Sequence, residues 1–149
     1  MKILVCVDGS QQSLKGIEEA VKMALGCNIS EVAVIHVIEK NINVPAWGEG
    51  YHYSAVELER IAKMDDVRKE EGKKILAKAV ETFKESNISA KSIFREGHPA
   101  ETIAKVASED GYDLVVLGSR GLGGLRKLLL GSVSNAIVQE VKANVLVVK

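Results

Sequence analysis

Two stretches of this 149-residue chain carry residue types suited to holding phosphate. The longer reads Gly118-Ser119-Arg120-Gly121, runs on for nine residues, and closes on Gly131-Ser132. Gly118 and Gly121 allow close backbone approaches that side chains forbid. Gly131 and Ser132 stand where a helix should begin, and the unpaired N–H groups and dipole of a helix start favour an anion. A phosphate chain can therefore lie across this loop on main-chain donors. The hydroxyls of Ser119, Ser132 and Ser134 can add bonds, while Arg120, Arg126 and Lys127 either neutralise charge or stay solvated. The shorter stretch is Asp8-Gly9-Ser10, whose carboxylate either caps a turn or faces the same ligand.

Better-known phosphate motifs do not fit. The chain has no GxxxxGK[ST], and no GxGxxG follows its first apolar run; Gly121-Leu122-Gly123-Gly124 lacks the third glycine. On residue types alone, a phosphate site and a surface loop with Gly131 at a helix start both remain open. Among the histidines, His36 sits inside an apolar run and reads as structural, and His98 precedes Pro99 at a helix start. His52, between Tyr51 and Tyr53, and the nearby Trp47 are better placed to touch something. The three histidines and two cysteines show no zinc-ligand spacing. Mg²⁺ held by phosphates, waters and one or two carboxylates is a separate matter, and Asp8 could serve it.

The elements that must position these residues are legible from periodicity. Lys2 to Val7 reads as a buried strand ended by Asp8-Gly9-Ser10. A helix follows, with Leu14, Ile17, Val21, Ala24 and Leu25 at helical spacing and Gly26 as a stop. Glu31 to Ile38 is a second buried strand, and Lys40 to Ser54 is a loop by composition. A long helical stretch runs from about Ala55 to Ser86; Asp65-Asp66 or Gly72 could mark a break, and Glu57 to Lys74 reads as a solvated face. Ile88 to Arg95 alternates like an edge strand. Pro99 suits the first turn of a helix bearing Ile103, Ala104, Val106 and Ala107, which Gly111 ends. Leu114 to Leu117 is a fourth strand closed by Gly118, Ser132 to Val141 a short helix, and Asn144 to Lys149 a last strand.

Strands and helices thus alternate, which implies one α/β domain over residues 1–149: a doubly wound, five-stranded parallel sheet, order 3-2-1-4-5, with helices on both faces, Rossmann-like. Ligands in such sheets bind at the carboxyl ends of the strands where the strand order reverses. The turns after the first and fourth strands, Asp8-Gly9-Ser10 and Gly118 to Gly121, are expected to flank that point.

Composition narrows the partners. Lys plus Arg equals Asp plus Glu at 20 each, so no excess positive charge is available for nucleic acid or an anionic membrane. The opening Lys2 to Val7 run is too short for a signal-peptide core, and the other apolar runs fall far below the roughly 20 residues of a membrane helix. A cytoplasmic protein is expected, with Cys6 and Cys27 reduced.

With these residues in view, the chain resembles the universal stress protein family, in its ATP-binding branch. That branch is marked by G-x2-G-x9-G-[ST], matched here by Gly118, Gly121, Gly131 and Ser132. The likeness extends over nearly the whole chain, through Val7-Asp8-Gly9-Ser10, His36-Val37-Ile38, Glu96-Gly97-His98-Pro99-Ala100, Asp113 to Gly118 and Asn144 to Val148. It implies that Val7 and Asp8 lie at an ATP site, Asp8 near the ribose or the metal-bound phosphates, with Mg or Mn carried by the triphosphate. It implies further that the backbone near Val37 faces adenine, and that Gly118, Ser119, Arg120, Gly121, Gly131, Ser132, Val133 and Ser134 hold ribose and phosphates. Family members usually form homodimers, often by pairing their last strands, which here means Val145, Leu146, Val147 and Val148, an apolar edge that otherwise needs protection.

A phosphate cradle without an evident catalytic base or a dedicated lysine points to a nucleotide-dependent regulatory module, whose partner protein the sequence does not name. A weak ATPase or phosphoryl-transfer enzyme is the alternative, and a dimeric module without nucleotide a third reading. Adenylating relatives of this fold carry SGGxDS after the first strand; Val7-Asp8-Gly9-Ser10-Gln11 does not support that chemistry.

Overall fold

The structure, a computed structural model, describes residues 1–39, 54–122 and 130–149. The expected loop with Trp47 and His52, and the basic pair Arg126 and Lys127, lie outside the described residues. Strands β1 (Lys2–Cys6), β2 (Glu31–Ile38), β3 (Ala90–Glu96), β4 (Leu114–Gly118) and β5 (Asn144–Val148) form one parallel sheet. Its order is β3-β2-β1-β4-β5, as the sequence pattern implied. Helices α1 (Gln11–Gly26), α2 (Ala55–Glu85), α3 (Pro99–Glu109) and α4 (Ser132–Glu140) cover it on both faces.

The unbroken apolar runs follow from this sandwiching. Along β1, Ile3, Leu4 and Val5 are fully buried, and successive residues serve opposite faces. Leu4 and Cys6 join Ala33, Ile35, Val115 and Leu117 against α3 and α4, through Ile103, Val106 and Ile137. Ile3, Val5 and Val7 join Val32, Val34 and Val116 against α1 and α2, through Ile17, Ala20, Leu76 and Phe83.

Two helices differ from their sequence reading. The periodicity of α1 pointed to Leu14 and Leu25, yet both are exposed, and its buried face is Ser13, Gly16, Ile17 and Ala20. Small residues are required there because α1 lies close over β4. Helix α2 has no break at Asp65-Asp66 or Gly72; it is continuous over 31 residues, roughly 46 Å at 1.5 Å per residue. A helix-interior glycine costs about 1 kcal/mol against alanine. Gly72 is retained for space: a Cβ there would lie 2.8 Å from both the His36 and Phe94 rings.

The amino-terminal half of α2 extends past the carboxyl ends of β2 and β3. A capping box starts it, with Ser54 Oγ accepting from the Glu57 N–H at 3.3 Å and the Glu57 carboxylate accepting from the Ser54 N–H at 2.8 Å. Arg68 Nη2 donates to the Glu39 carbonyl at 3.0 Å, and Lys69 pairs with Glu96 at 3.2 Å. These contacts brace the helix over the end of the sheet where a ligand would bind.

The packing makes a direct prediction. Phe83 is completely buried between α2 and the sheet, so Phe83→Ala should lower stability by about 3–5 kcal/mol. Urea unfolding followed by circular dichroism would read this; a loss below about 1 kcal/mol would mean that α2 does not pack as described.

Candidate functional site

Strands β1 and β4 are neighbours, with Ile3 opposite Leu114 and Val5 opposite Val116. From β1 the chain leaves toward β2 through α1 on one face; from β4 it leaves toward β5 through α4 on the other. The two departing turns therefore open a crevice at the carboxyl edge of the sheet.

Hydrogen bonds fix both turns. On the β1 side, the Ser10 N–H donates to Asp8 Oδ1 at 2.9 Å, closing an Asx turn. Ser10 Oγ accepts from the Ser13 N–H at 3.1 Å, capping α1, and donates to the Arg120 carbonyl at 3.4 Å, tying one turn to the other. On the β4 side, the Ser119 N–H donates to the Val148 carbonyl at 2.6 Å, and the Ser119 carbonyl accepts from the Gly131 N–H at 2.8 Å. The Gly131 N–H thus joins the two described ends of this stretch, the turn after β4 and the start of α4.

Helix α4 starts at the closing end of this loop. Gly131 is its N-cap and supplies no side-chain acceptor. The first intrahelical bond is from Asn135 N–H to the Gly131 carbonyl at 2.9 Å. The N–H groups of Ser132, Val133 and Ser134 have no acceptor among the described residues, which is the ordinary condition of a helix start and the physical basis of anion binding there. The Val133 side chain packs against the core, so only its backbone is turned to this role.

The glycines of the loop answer to different constraints. A Cβ on Gly118 would lie 2.7 Å from the Gln12 carbonyl carbon and 2.9 Å from the Ser13 nitrogen. Its absence lets α1 sit on β4. A Cβ on Gly121 would lie 2.5 Å from Asp8 Oδ2, so this glycine admits the carboxylate. Around Gly131 the nearest atoms, Arg120 Cα at 3.5 Å and the Ser119 oxygen at 3.6 Å, leave room for a Cβ, and its φ of −71° suits any residue. Nothing among the described protein atoms demands glycine at 131.

The serines divide as well. Ser134 is buried, and its hydroxyl donates to the Gly118 carbonyl at 2.9 Å, so its proton is committed inside the protein rather than to a phosphate. Ser119 and Ser132 have no such commitment among the described residues. Behind Asp8, the Cys6 thiol is pushed up to about 12 by burial and, second, by the Asp8 charge, so it stays protonated and inert.

At the ends of β1 and β2 the sheet opens one step early. The Val7 N–H donates to the Ile35 carbonyl at 2.9 Å, but the Val7 carbonyl accepts from the His36 ring at 2.7 Å. Strand alternation turns the N–H and C=O of Val37 to the same side as those of Ile35, toward β1. Beyond the end of β1 they have no partner among the described residues. His36 as a bonded buried histidine was legible in the sequence; its carbonyl partner was not. Of the cavities, one of about 180 Å³ lies beside this turn, between Val7, Gly9, Ser13, Ile17 and Ile75. A larger groove of about 350 Å³ lies between α2 and β3, away from the loop.

Comparison with known proteins agrees with this architecture. The sequence profile of the universal stress protein family matches residues 1–149. Universal stress protein YxiE of Bacillus subtilis is 35% identical over 151 residues, spanning 99% of this chain and 98% of that one. The solved structure of MJ0577, a universal stress protein of Methanocaldococcus jannaschii, has a TM-score of 0.78 at 25% identity, covering 99% of this chain and 94% of that one. A universal stress protein solved in complex with cAMP shares the fold with a TM-score of 0.69 at 24% identity, covering 100% of this chain and 97% of its own.

The unequal roles of the glycines predict unequal substitutions. Gly118→Ala forces α1 off β4 and should destabilise the protein by about 1–3 kcal/mol. Gly131→Ala has room and should cost only the roughly 0.5–1 kcal/mol by which alanine is the poorer N-cap. Equal losses on thermal unfolding would show that Gly131 is held by the fold after all.

Proposed function

This chain belongs to the universal stress protein family, and we propose that it binds ATP at the carboxyl edge of its sheet and acts as a nucleotide-dependent regulatory module. The observation that carries this reading is the start of α4. Three successive N–H groups, of Ser132, Val133 and Ser134, lack acceptors among the described residues, beside a glycine that no described contact requires. Space without a side chain, next to unpaired donors, suits a phosphate group approaching the backbone. The hydroxyls of Ser119 and Ser132 and the backbone of Gly118 to Gly121 complete the phosphate side, with Arg120 at the loop's start. The N–H and C=O of Val37 offer a donor and an acceptor side by side for the N1 and amino group of adenine, with Val7 beneath. Asp8 stands beside Gly121, with Oδ2 where a Cβ on that glycine would intrude, and fits the carboxylate share of an Mg or Mn ion that enters with the triphosphate.

Regulation is favoured over turnover by how the polar groups are spent. Asp8 Oδ1 is held in its turn by Ser10, Ser134 in the wall by Gly118, and Cys6 as a neutral thiol. The described residues of the site supply donors for a triphosphate and position no nucleophile against it. ATP bound between the Asp8 turn and the start of α4 would change the surface that a partner protein reads. The free, buried Cys6 suits a reducing cytoplasmic setting.

A homodimer through β5 belongs to the same reading. β5 is the outer strand, and Val145, Leu146, Val147 and Val148 stay only half-buried although they face both layers. Such an apolar edge invites a second copy.

Two measurements test the proposal. Ligand at about 100 times its dissociation constant adds roughly 2.7 kcal/mol. Nucleotide-stripped protein should therefore melt about 5–10 °C higher with Mg²⁺-ATP, less with Mg²⁺-GTP, and Gly131→Ala should lose most of the rise. No rise with either nucleotide would remove ATP from the account. In sedimentation at micromolar concentration the protein should run as a dimer and Val147→Lys as a monomer; a monomeric parent would remove the β5 interface.

A further inference from the structure

We infer that His36 is a positioning residue that keeps the end of β2 open to read a base. The argument starts from the pairing rule of parallel strands. A residue that donates its N–H to position j−1 of its neighbour normally accepts at its carbonyl from the N–H of position j+1. The Val7 N–H donates to the Ile35 carbonyl at 2.9 Å, so the rule assigns the Val37 N–H to the Val7 carbonyl. That bond is absent among the described residues. In its place the His36 ring nitrogen Nδ1 lies 2.7 Å from the Val7 oxygen. A carbonyl only accepts, so Nδ1 carries the proton. The imidazole bonds this oxygen and the Val37 N–H does not, so the ladder stops one step short.

Three elements hold the ring in this position. β2 carries it, buried to 8% exposure. β3 supplies Phe94, stacked with ring centroids 6.1 Å apart. α2 supplies Gly72, where a Cβ would come within 2.8 Å of Cδ2 and 2.9 Å of Nε2. The glycine in the middle of α2 is therefore a slot for the imidazole and the Phe94 ring stacked on it, and its retention in a helix is explained by these rings rather than by the helix. Without the ring, the buried Val7 carbonyl would draw in the donor that the ladder assigns to it, the Val37 N–H. The ladder would zip by one residue, and the donor that faces the ligand crevice would be consumed.

This inference rests on the reading that Val37 faces adenine, and it adds how that edge is kept available. The test compares the parent protein with His36→Leu, His36→Asn and Gly72→Ala. The asparagine amide nitrogen stands where Nδ1 does and can keep the bond to Val7. Two readouts are taken: hydrogen exchange of the Val37 amide without nucleotide, and dissociation constants for Mg²⁺-ATP and for inorganic tripolyphosphate, which has no base. In the parent the Val37 amide should exchange fast and slow down on adding ATP. In His36→Leu it should be slow without nucleotide, with ATP binding weakened about five- to tenfold and tripolyphosphate binding unchanged. His36→Asn should behave as the parent, and Gly72→Ala, which crowds the ring while leaving it in the chain, should shift toward His36→Leu. A protected Val37 amide in the parent would overturn the inference. So would equal losses for ATP and tripolyphosphate, or a failure of asparagine to restore either readout. If the parent binds neither ligand, the ATP reading fails, and the exchange of Val37 in parent and His36→Leu still decides what His36 does.

Discussion

The pairing of β1 with β4 is the constraint on which the rest of the structure depends. Ile3, Leu4 and Val5 lie against Leu114, Val115 and Val116, residues more than a hundred positions away. This pairing puts the Asp8 turn beside the Gly118 loop and sends the chain from the two strands in opposite directions over opposite faces. A crevice must open between the two departures. Because all five strands are parallel, each crossover needs a helix, and both faces of the sheet must be apolar. The continuous Val, Ile and Leu runs of β1, β2 and β4 are the consequence.

Once the crevice exists, its walls are set by how closely the flanking elements approach. Gly118 lets α1 rest on β4. Ser10 caps α1 and reaches the Arg120 carbonyl, and Ser134 reaches the Gly118 carbonyl from α4. Each of these polar groups is satisfied within the protein, so the two turns are held by bonds that a ligand does not have to form. The start of α4 is different in kind: its donors and the space beside Gly131 remain outside that network. A spacing that looks like one motif in the sequence is therefore three separate requirements, namely helix packing at Gly118, admission of a carboxylate at Gly121, and open space at Gly131.

The carboxyl end of β2 follows the same logic. A parallel ladder would continue by default, and a side chain stops it. The His36 ring reaches the Val7 carbonyl because Phe94 and Gly72 leave it one place to lie. Helix α2 is consequently more than a cover for the sheet. Through Gly72, Arg68 and Lys69 it fixes the ends of both β2 and β3.

Much of this was legible in the sequence, for a physical reason. Burial on both faces makes strands apolar throughout, helical faces repeat at 3.6 residues, and glycine, proline and serine mark where elements begin and stop; all are local properties written in local residues. The alternation of the elements, the outer position of Asn144 to Val148 and the crevice between the first and fourth strands follow from them. What the tertiary structure decided are matters of distance between residues remote in the chain. Leu14 and Leu25 keep the helical period yet face solvent, because α1 needs small residues where it meets β4. Gly72 looks like a helix break and is a slot for a ring. The Ser134 hydroxyl looks like a phosphate donor and is spent on the Gly118 carbonyl, which leaves only the residue's backbone N–H for that role. Spacing along a chain records which residues recur, but the clearance around an absent Cβ exists only after another element has been packed against it.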